Sequence, residues 1–557
     1  MGKAIASPPA WRYTTVVGTV KGPALGDTRL RAYRNHMKNT LLAVAVLLAV
    51  VDSHGAEPRV HSPFDSGSEH TFSNPIDALV LASLRTRGIE PARVCSDATF
   101  LRRVYLDVIG TLPDAAEARE FLRDRRPGKR TALIDALLTR DEFAVYWSLK
   151  WGDLLRVKAE FPINLWPNAV QAYSRWIHDA IRTNQPYDEF ARALLTSKGS
   201  NFRVPPVNFY RAMQNRTPPG IAEAVALTFM GTRITKWPEA RRAALAAFFS
   251  RVVYKGTAEW KEQIVSLDPA PAGPLDAVLP DGTKARVEPG EDPRRVFADW
   301  LIAADNPWFA RNIVNRVWAW LMGRGIVHEP DDIRPDNPPA NPELLALLAK
   351  ELVKANYDLR HIYRLILTSR TYQQSPVPRS DHPDAQKLFA HYIVRRLDAE
   401  VLIDALCQIT GTTEKYSSMV PEPFTFVPGE RRSIALDDGS ITSPFLEMFG
   451  RPSRDTGLET ERSTKPSARQ RLHLLNSSHI QQKIERGPKL RALLAAGPKR
   501  PRSTATELYL TILCRYPTAA ELAAVEKYAQ GKETQGTKAF IDLTWALFNS
   551  SEFLYRH

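Results

Sequence analysis

The chain has 557 residues, 44% hydrophobic and 24% charged, an ordinary balance for a soluble globular protein that excludes a fibrous or wholly disordered chain. Since one hydrophobic core rarely supports this length, we expect two domains. The net charge is +14, but residues 1–56 hold seven basic and two acidic groups, so +9 remains on residues 57–557. With no long basic run, this mild excess argues against nucleic-acid binding and is compatible with an anionic envelope surface or acidic polysaccharide.

The N-terminal region has the layout of a secretory signal peptide at residues 37–56. Lys38 supplies the positive charge, residues 41–51 form an apolar run of eleven, and small residues follow before position 57. The run is too short for a comfortable membrane span, although an uncleaved signal anchor is the alternative. We therefore predict export, with a periplasmic or secreted location in the cell envelope and no integral membrane span after cleavage.

The segments on either side of the signal peptide carry less information. Residues 1–36 show no clear periodicity, and we interpret them as a dispensable extension ahead of a true start at Met37. Residues 57–73 are polar and rich in turn-forming residues, which indicates a tether between the signal peptide and the first folded element.

From Asn74 onward helical patterns dominate, so the predicted fold class is mainly α. Asn74 is a suitable N-cap before a proline. Residues 259–293 instead show the alternation and the Asp-Gly turn at Asp281 that are typical of a hairpin. We predict a first helical domain at 74–258, a small β-hairpin connector at 259–293 and a second helical domain at 294–557. The predicted helices cover 75–87, 100–109, 130–138, 143–155, 169–183, 187–195, 294–304, 308–322, 343–355, 359–368, 399–410, 507–515, 519–530 and 537–549.

The cysteines argue against a metal or redox centre. Cys95, Cys407 and Cys514 lie far apart, and none has the spacing of a disulfide framework, a zinc site or a haem attachment, so we predict no metal and no cofactor. The segment 328–337 offers several oxygen ligands, but its spacing is not that of a calcium-binding EF-hand loop. We expect this loop to be hydrogen-bonded to its own backbone.

Several segments resemble a pair of domains common in planctomycetes and their relatives, the domains of unknown function fifteen-forty-nine and fifteen-fifty-three. FLRRVYLDVIGTLP at 100–113 and WSLKWGDLLR at 147–156 resemble the first domain. DNPWFARNIVNRVWAWLMGRGIV at 305–327, RRLDAEVLIDAL at 395–406 and PFLEMFGRPSRDTGLETERS at 444–463 resemble the second. The resemblance implies an exported protein of a family with no established activity, some members of which are fused to cytochrome-c-like or carbohydrate-binding modules.

One departure from the family pattern bears on redox function. Many members carry a Cys-x-x-Cys-His motif shortly before a tryptophan, whereas the corresponding residues here, 230–237, contain neither cysteine nor histidine. Covalent haem needs both thioether cysteines and an axial histidine, so we predict that the chain holds no c-type haem. A role as a periplasmic redox partner is therefore the least favoured hypothesis.

The candidate catalytic residues are three carboxylates crowded into one family-like segment. Asp455, Glu459 and Glu461 lie between Arg454 and Arg462. Carboxylates beside arginines can act as general acid and base when burial and charge separate their pKa values. The alternative is a salt-bridged loop that docks on the helical core, because structural ion networks perturb pKa values as readily as active sites do.

Five further residues are candidates for ligand binding: Asn315, Arg316, Arg462, Trp147 and Trp151. The first two lie on a helix with much apolar surface, so they face either an internal polar site or hydrogen-bonding partners between domains. The tryptophans are one helical turn apart and form either a sugar-stacking platform or a core stripe. On the same helix, Asp153 and Arg156 are expected to pair locally. Arg316 is expected to lie against a carboxylate of the 455–461 segment.

Two functional hypotheses remain. The first is a non-catalytic cell-envelope binding or assembly protein, whose partner is an envelope polysaccharide or another envelope protein. The second is an extracellular carbohydrate-active hydrolase or transferase that uses Asp455, Glu459 and Glu461. We favour the first, because it requires none of the nucleophile, phosphate-binding or zinc-protease motifs that the sequence lacks.

Overall fold

The structure is a computed structural model that describes residues 63–66, 73–269, 273–427 and 429–557. The predicted extension and signal peptide lie outside the described residues, and of the predicted tether only 63–66 and 73 lie inside them. Residues 63–66 are docked on the fold: the Ser66 N–H donates to the Val94 carbonyl at 2.8 Å and the Ser96 N–H donates to Phe64 at 2.8 Å.

Helices dominate the described residues, which confirms the mainly α prediction. In chain order they are α1 Pro75–Thr86, α2 Asp97–Val108, α3 Ala115–Arg123, α4 Lys129–Thr139, α5 Asp141–Leu154, α6 Pro167–Arg182, α7 Tyr187–Thr196, α8 Asn208–Arg211, α9 Pro218–Val225, α10 Glu239–Ala247, α11 Pro293–Leu301, α12 Phe309–Met322, α13 Pro342–Lys354, α14 Leu359–Leu367, α15 Ala399–Thr410, α16 Pro444–Met448, α17 Ala468–Asn476, α18 Ser478–Arg486, α19 Pro488–Leu494, α20 Pro501–Leu513, α21 Ala519–Ala529, α22 Lys538–Phe548 and α23 Ser551–Leu554. Asn74 caps α1 as expected, because its side chain accepts the Ile76 N–H at 2.9 Å.

Short antiparallel strands form three small sheets within the described residues. They are β1 Gly199–Ser200, β2 Val252–Gly256, β3 Gln263–Leu267, β4 Leu275–Val278, β5 Lys284–Val287, β6 Arg395–Arg396 and β7 Tyr555–Arg556. The sheets have the strand orders β1-β3-β2, β4-β5 and β6-β7. The predicted connector therefore contains a hairpin, β4-β5, whose turn places Gly282 at φ +94°. It also supplies β3 to a separate sheet with β1 and β2.

The predicted arrangement of two domains linked by a hairpin is not confirmed, because residues His61–His557 form one compact unit. Buried polar contacts join the N-terminal helices to the C-terminal segment. Arg102 on α2 donates to the Ile512 carbonyl at 2.9 Å and to the Phe553 carbonyl at 2.7 Å. The boundaries of the predicted domains stay a prediction.

Helix α12 lies in the interior and positions much of the candidate site. Nearly all of its residues are buried, including Asn312, Asn315 and Arg316. Buried polar groups need partners, so these side chains dictate what packs around the helix. Within the described part of the chain, no helix combines the length and the apolar character needed to span a bilayer.

Candidate functional site

Asp153, at the end of α5, is held by two arginines of the segment 451–462. Its Oδ1 accepts Arg454 Nε at 2.9 Å, and its Oδ2 accepts Arg462 Nη2 at 2.7 Å. Burial would raise the pKa of Asp153, but the charges of Arg462 and Arg454 outweigh it and lower the pKa. The expected local pair of Asp153 with Arg156 is wrong, since Arg156 Nε donates to the Thr456 carbonyl at 2.9 Å.

Arg462 extends this contact to the start of α15. Its Nη1 lies 2.6 Å from Glu400 Oε2 and 3.8 Å from Asp398 Oδ1. Burial would lower the pKa of Arg462, yet the neighbouring carboxylates of Asp153, Glu400 and Asp398 hold it well above its ordinary value. Arg462 was a candidate for ligand binding, and the structure instead surrounds its guanidinium with carboxylates of the protein.

The network continues through Asp398 to the C-terminal strand β7. Asp398 Oδ2 accepts Lys150 Nζ at 2.9 Å and Arg556 Nη2 at 3.0 Å. Arg556 Nη1 also donates to Asp107 Oδ1 at 3.0 Å. Asp107 and Arg556 are buried. None of Lys150, Asp398, Asp107 or Arg556 was predicted from the sequence. The signal that could have found them is a charged residue inside a largely apolar segment.

The three candidate catalytic carboxylates do not share one partner. Asp455 Oδ1 pairs with Lys158 Nζ at 2.8 Å. Glu461 accepts the N–H of Thr456 at 2.6 Å and that of Asp455 at 3.2 Å, so it closes its own loop. Glu459 Oε2 accepts the indole N–H of Trp320 at 3.0 Å.

Glu459 has the environment of a proton donor. Its side chain is 33% exposed. Burial raises its pKa above the ordinary value, and the charges of Lys150 and Arg316 offset this only in part. The neighbouring carboxylate of Asp331 adds to the rise. Glu459 can therefore hold a proton to a higher pH than an exposed glutamate.

Arg316 lies beside Glu459, as expected, but Asp331 is its closer partner. Arg316 Nη2 is 2.8 Å from Asp331 Oδ1, whereas its Nη1 is 4.0 Å from Glu459 Oε2. Asp331 Oδ2 also accepts the backbone N–H of Glu459 at 2.7 Å. The 328–337 loop is bonded partly to itself, since Asn337 Nδ2 donates to the carbonyls of His328 and Asp332 at 3.0 and 2.9 Å. It is also bonded to an earlier segment of the chain, since Glu329 pairs with Arg233 at 3.0 Å.

Backbone groups also bind the Asn315 amide and the amide nitrogen of Asn312 on α12. Asn315 Nδ2 donates to the Val327 carbonyl at 3.0 Å, and its Oδ1 accepts the Val327 N–H at 2.9 Å. Asn312 Nδ2 donates to the Thr228 carbonyl at 2.9 Å. Thr228 belongs to the π-helical turn Ala226–Met230, whose last residue begins the 230–237 stretch that lacks the cysteine motif. Asn315 thus serves the fold rather than an open ligand site.

The exposed tryptophan platform considered for sugar stacking is absent, because Trp147 and Trp151 are only 2% and 3% exposed. The indole N–H of Trp147 donates to the Val108 carbonyl at 3.0 Å. Its ring lies 5.3 Å from the Trp320 ring, and the Trp151 ring lies 5.2 Å from Phe190. The two tryptophans therefore form a core stripe.

Two small cavities adjoin these groups in the described structure. One, of ≈ 40 Å³, is lined largely by aromatic residues, including Trp147 and Trp151. The other, of ≈ 10 Å³, lies between Glu459, Lys150, Asp153 and Trp320. The second has space for about one water molecule, which is far less than a sugar ring requires.

Comparison with known protein families shows to which matched regions these contacts belong. Residues 75–239 match the model of a protein of unknown function, DUF1549, and residues 293–529 match that of a second, DUF1553. The chain belongs to the family that carries these paired, planctomycete-type domains. No curated protein and no solved structure gives a significant match. Asp153 lies in the first matched range and Arg462 in the second, so their ion pair joins the two.

Proposed function

We propose that the protein is an exported, non-catalytic binding or assembly protein of the cell envelope. The observation that carries this proposal is the buried chain from Asp153 through Arg462 to Glu400, with distances of 2.7 and 2.6 Å. Each charged group of such a network loses its hydration on burial, which is unfavourable. One documented use of buried ionic groups is to fix a unique arrangement of helices and strands. Here it docks the 451–462 segment on the helical core.

The positions of the candidate catalytic groups support the same proposal. A hydrolase that uses two carboxylates needs both of them directed at one substrate bond. Asp455 faces Lys158 at 2.8 Å, and Glu461 is bonded to the backbone of its own loop. These contacts leave Glu459 without a second carboxylate of that segment beside it.

Purified protein incubated with acidic and neutral polysaccharides provides the test. We expect binding without the release of shorter chains, measured by sedimentation of the complex and by assay of new reducing ends. Products that disappear in Glu459→Gln would reject the proposal. Export is tested separately by N-terminal sequencing of the native protein, which we expect to begin near Glu57; an intact Met1 recovered from the cytoplasm would reject it.

A hydrolase or transferase is the second candidate, and one observation favours it. Glu459 combines a raised pKa with an exposed edge, as a general acid requires. For Glu459 to act in this way, the small cavity beside it must widen to admit a sugar. Under this alternative, Glu459→Gln abolishes turnover while Glu461→Gln, a matched change two residues away, chiefly alters stability.

A further inference from the structure

A layer of short helices near the C-terminus carries the unbalanced charge of the chain. Residues 463–503 contain ten Lys and Arg and one acidic residue, Glu485, so their net charge equals the +9 of residues 57–557. The remainder of 57–557 is therefore electrically balanced. These basic residues do not form a continuous run in the sequence, because other residues of the helices lie between them.

The structure gathers this segment on one side of the core. Helix α17 packs on α18, α18 on α19 and α19 on α20, while α18 and α19 also pack on α15. Apolar side chains anchor the layer, and those that are buried are Leu474, Ile480, Ile484, Leu490 and Leu494. Most apolar positions are thus turned inward, although Leu472 and Leu475 are exposed, and the basic positions are left at the surface.

Most of these cations have no acidic partner within the part of the chain that the structure describes. The exposed members without a salt bridge are Lys465, Arg469, Arg471, Arg486, Lys489, Arg491, Lys499 and Arg500. Arg502 pairs with Glu526 at 3.3 Å. Glu485 accepts Gln481 Nε2 at 2.6 Å and pairs with none of them. The surface is thus left with uncompensated positive charge.

We propose that residues 463–503, which comprise α17–α19 and the start of α20, form the binding surface for an anionic polysaccharide that bears carboxylate or sulfate groups; this rests on the proposed envelope function. Guanidinium groups match the geometry of such oxyanions in bidentate fashion. A linear polyanion that binds a cationic surface also releases its condensed counterions into solution, which is entropically favourable. The binding needs no cleavage and no enclosed pocket.

Two other polyanions fit the surface less well. Residues 463–503 contain no Phe, Trp or Tyr, the side chains on which unpaired bases stack. A membrane-surface helix inserts a whole apolar face into the lipid, whereas here most apolar positions, such as Ile480 and Leu490, are already buried in the core. Two leucines of α17, Leu472 and Leu475, are exposed, which is less than such a face needs. An anionic polysaccharide is therefore the polyanion that best fits this surface.

The test compares two quadruple variants of the full mature chain, each losing three arginines and one lysine. The surface variant carries Arg469→Gln, Arg471→Gln, Lys489→Gln and Arg491→Gln. The control neutralises exposed cations elsewhere that also lack salt bridges: Arg125→Gln, Arg295→Gln, Arg311→Gln and Lys350→Gln. Equal melting temperatures confirm folding. The probes are polygalacturonate, chondroitin sulfate, neutral dextran, duplex DNA and phosphatidylglycerol vesicles.

We expect the wild type to bind the two acidic polysaccharides and not dextran, with affinity falling steeply between about 50 and 200 mM salt. The surface variant should bind at least about tenfold more weakly, and the control within about threefold of the wild type. Equal losses of polysaccharide affinity in both variants would overturn the proposed binding surface. Tighter binding of DNA or vesicles than of the acidic polysaccharides would also overturn it. Release of shorter chains would instead overturn the non-catalytic function while leaving the surface intact.

Discussion

The guanidinium of Arg316 lies 2.8 Å from the carboxylate of Asp331, and the two side chains are 1% and 0% exposed. Removing one partner from such a pair leaves an uncompensated charge in the interior, which typically costs about 3–5 kcal/mol. We therefore expect Arg316→Ala and Asp331→Ala each to lower the free energy of unfolding by about that amount, measured by urea denaturation.

The double variant Arg316→Met/Asp331→Leu distinguishes a pair from two independent contacts. Since it removes both charges together, its cost should be smaller than the sum of the two single costs. Arg334→Ala is the control in the same loop, because its contact with Asp332 at 3.2 Å is partly exposed and should be worth about 0–1 kcal/mol. Additive single costs would show that Arg316 and Asp331 are not coupled.

Some of these relationships could be predicted from the sequence because they follow from helical periodicity. Arg316 stood out as a charge on an apolar helix, and the structure brings it near Glu459 as expected. The choice of Asp331 as its closer partner depends on how a separate loop turns, which no periodic pattern encodes. The role of Glu461 in closing its own loop depends on turn geometry in the same way.

The fold shows the same division between local and long-range information. The boundaries of α1 and α12 agree with their predicted ranges to within a residue, because a cap or an apolar stripe marks them. The short helices α17–α19 were missed, since they carry many charges and few apolar positions. The single compact unit depends on contacts such as that from Arg102 to the Ile512 carbonyl, which join residues far apart in the chain.

Glu461 offers a second test of structural against catalytic roles. Its carboxylate accepts two backbone N–H groups, and glutamine supplies one acceptor oxygen in their place. We expect Glu461→Gln to lose about 1–3 kcal/mol of stability, the usual cost of unsatisfied or weakened charge-assisted hydrogen bonds. A variant that keeps the wild-type melting temperature but loses a measured activity would support the catalytic role instead.

Glu459 should make stability depend on pH in the opposite sense to an ordinary ion-paired carboxylate. Its folded pKa is raised, so the folded state holds the proton more tightly and loses stability as pH rises through that pKa. Glu459→Gln removes this loss, and glutamine still accepts the Trp320 N–H. We expect the variant to gain in melting temperature relative to the wild type from pH 4 to pH 7. A constant difference across this range would contradict the raised pKa.

His557 should make the protein sensitive to acid. Burial, aided by the charges of Arg102 and Arg103, lowers its pKa to about 3, and the residue is 7% exposed. An unfolded histidine binds a proton near pH 6.5, so between about pH 6.5 and 3 the unfolded state holds more protons than the folded state. The free energy of unfolding therefore decreases as the pH is lowered through this range. Well inside that window each pH unit costs about 1.4 kcal/mol, and the total from pH 6.5 to 4.5 is about 2.3 kcal/mol, because the unfolded histidine is only half protonated at pH 6.5.

A non-titrating residue at position 557 should remove this dependence. His557→Phe preserves a ring against Phe64, whose centroid lies 5.1 Å away, while His557→Leu packs differently. Unfolding free energies measured by urea titration at several pH values should show the same shallower slope for both variants, lower by about one proton than the wild type. If the slopes of all three proteins coincide, His557 does not carry the acid sensitivity. If only the leucine variant differs, packing rather than protonation is responsible.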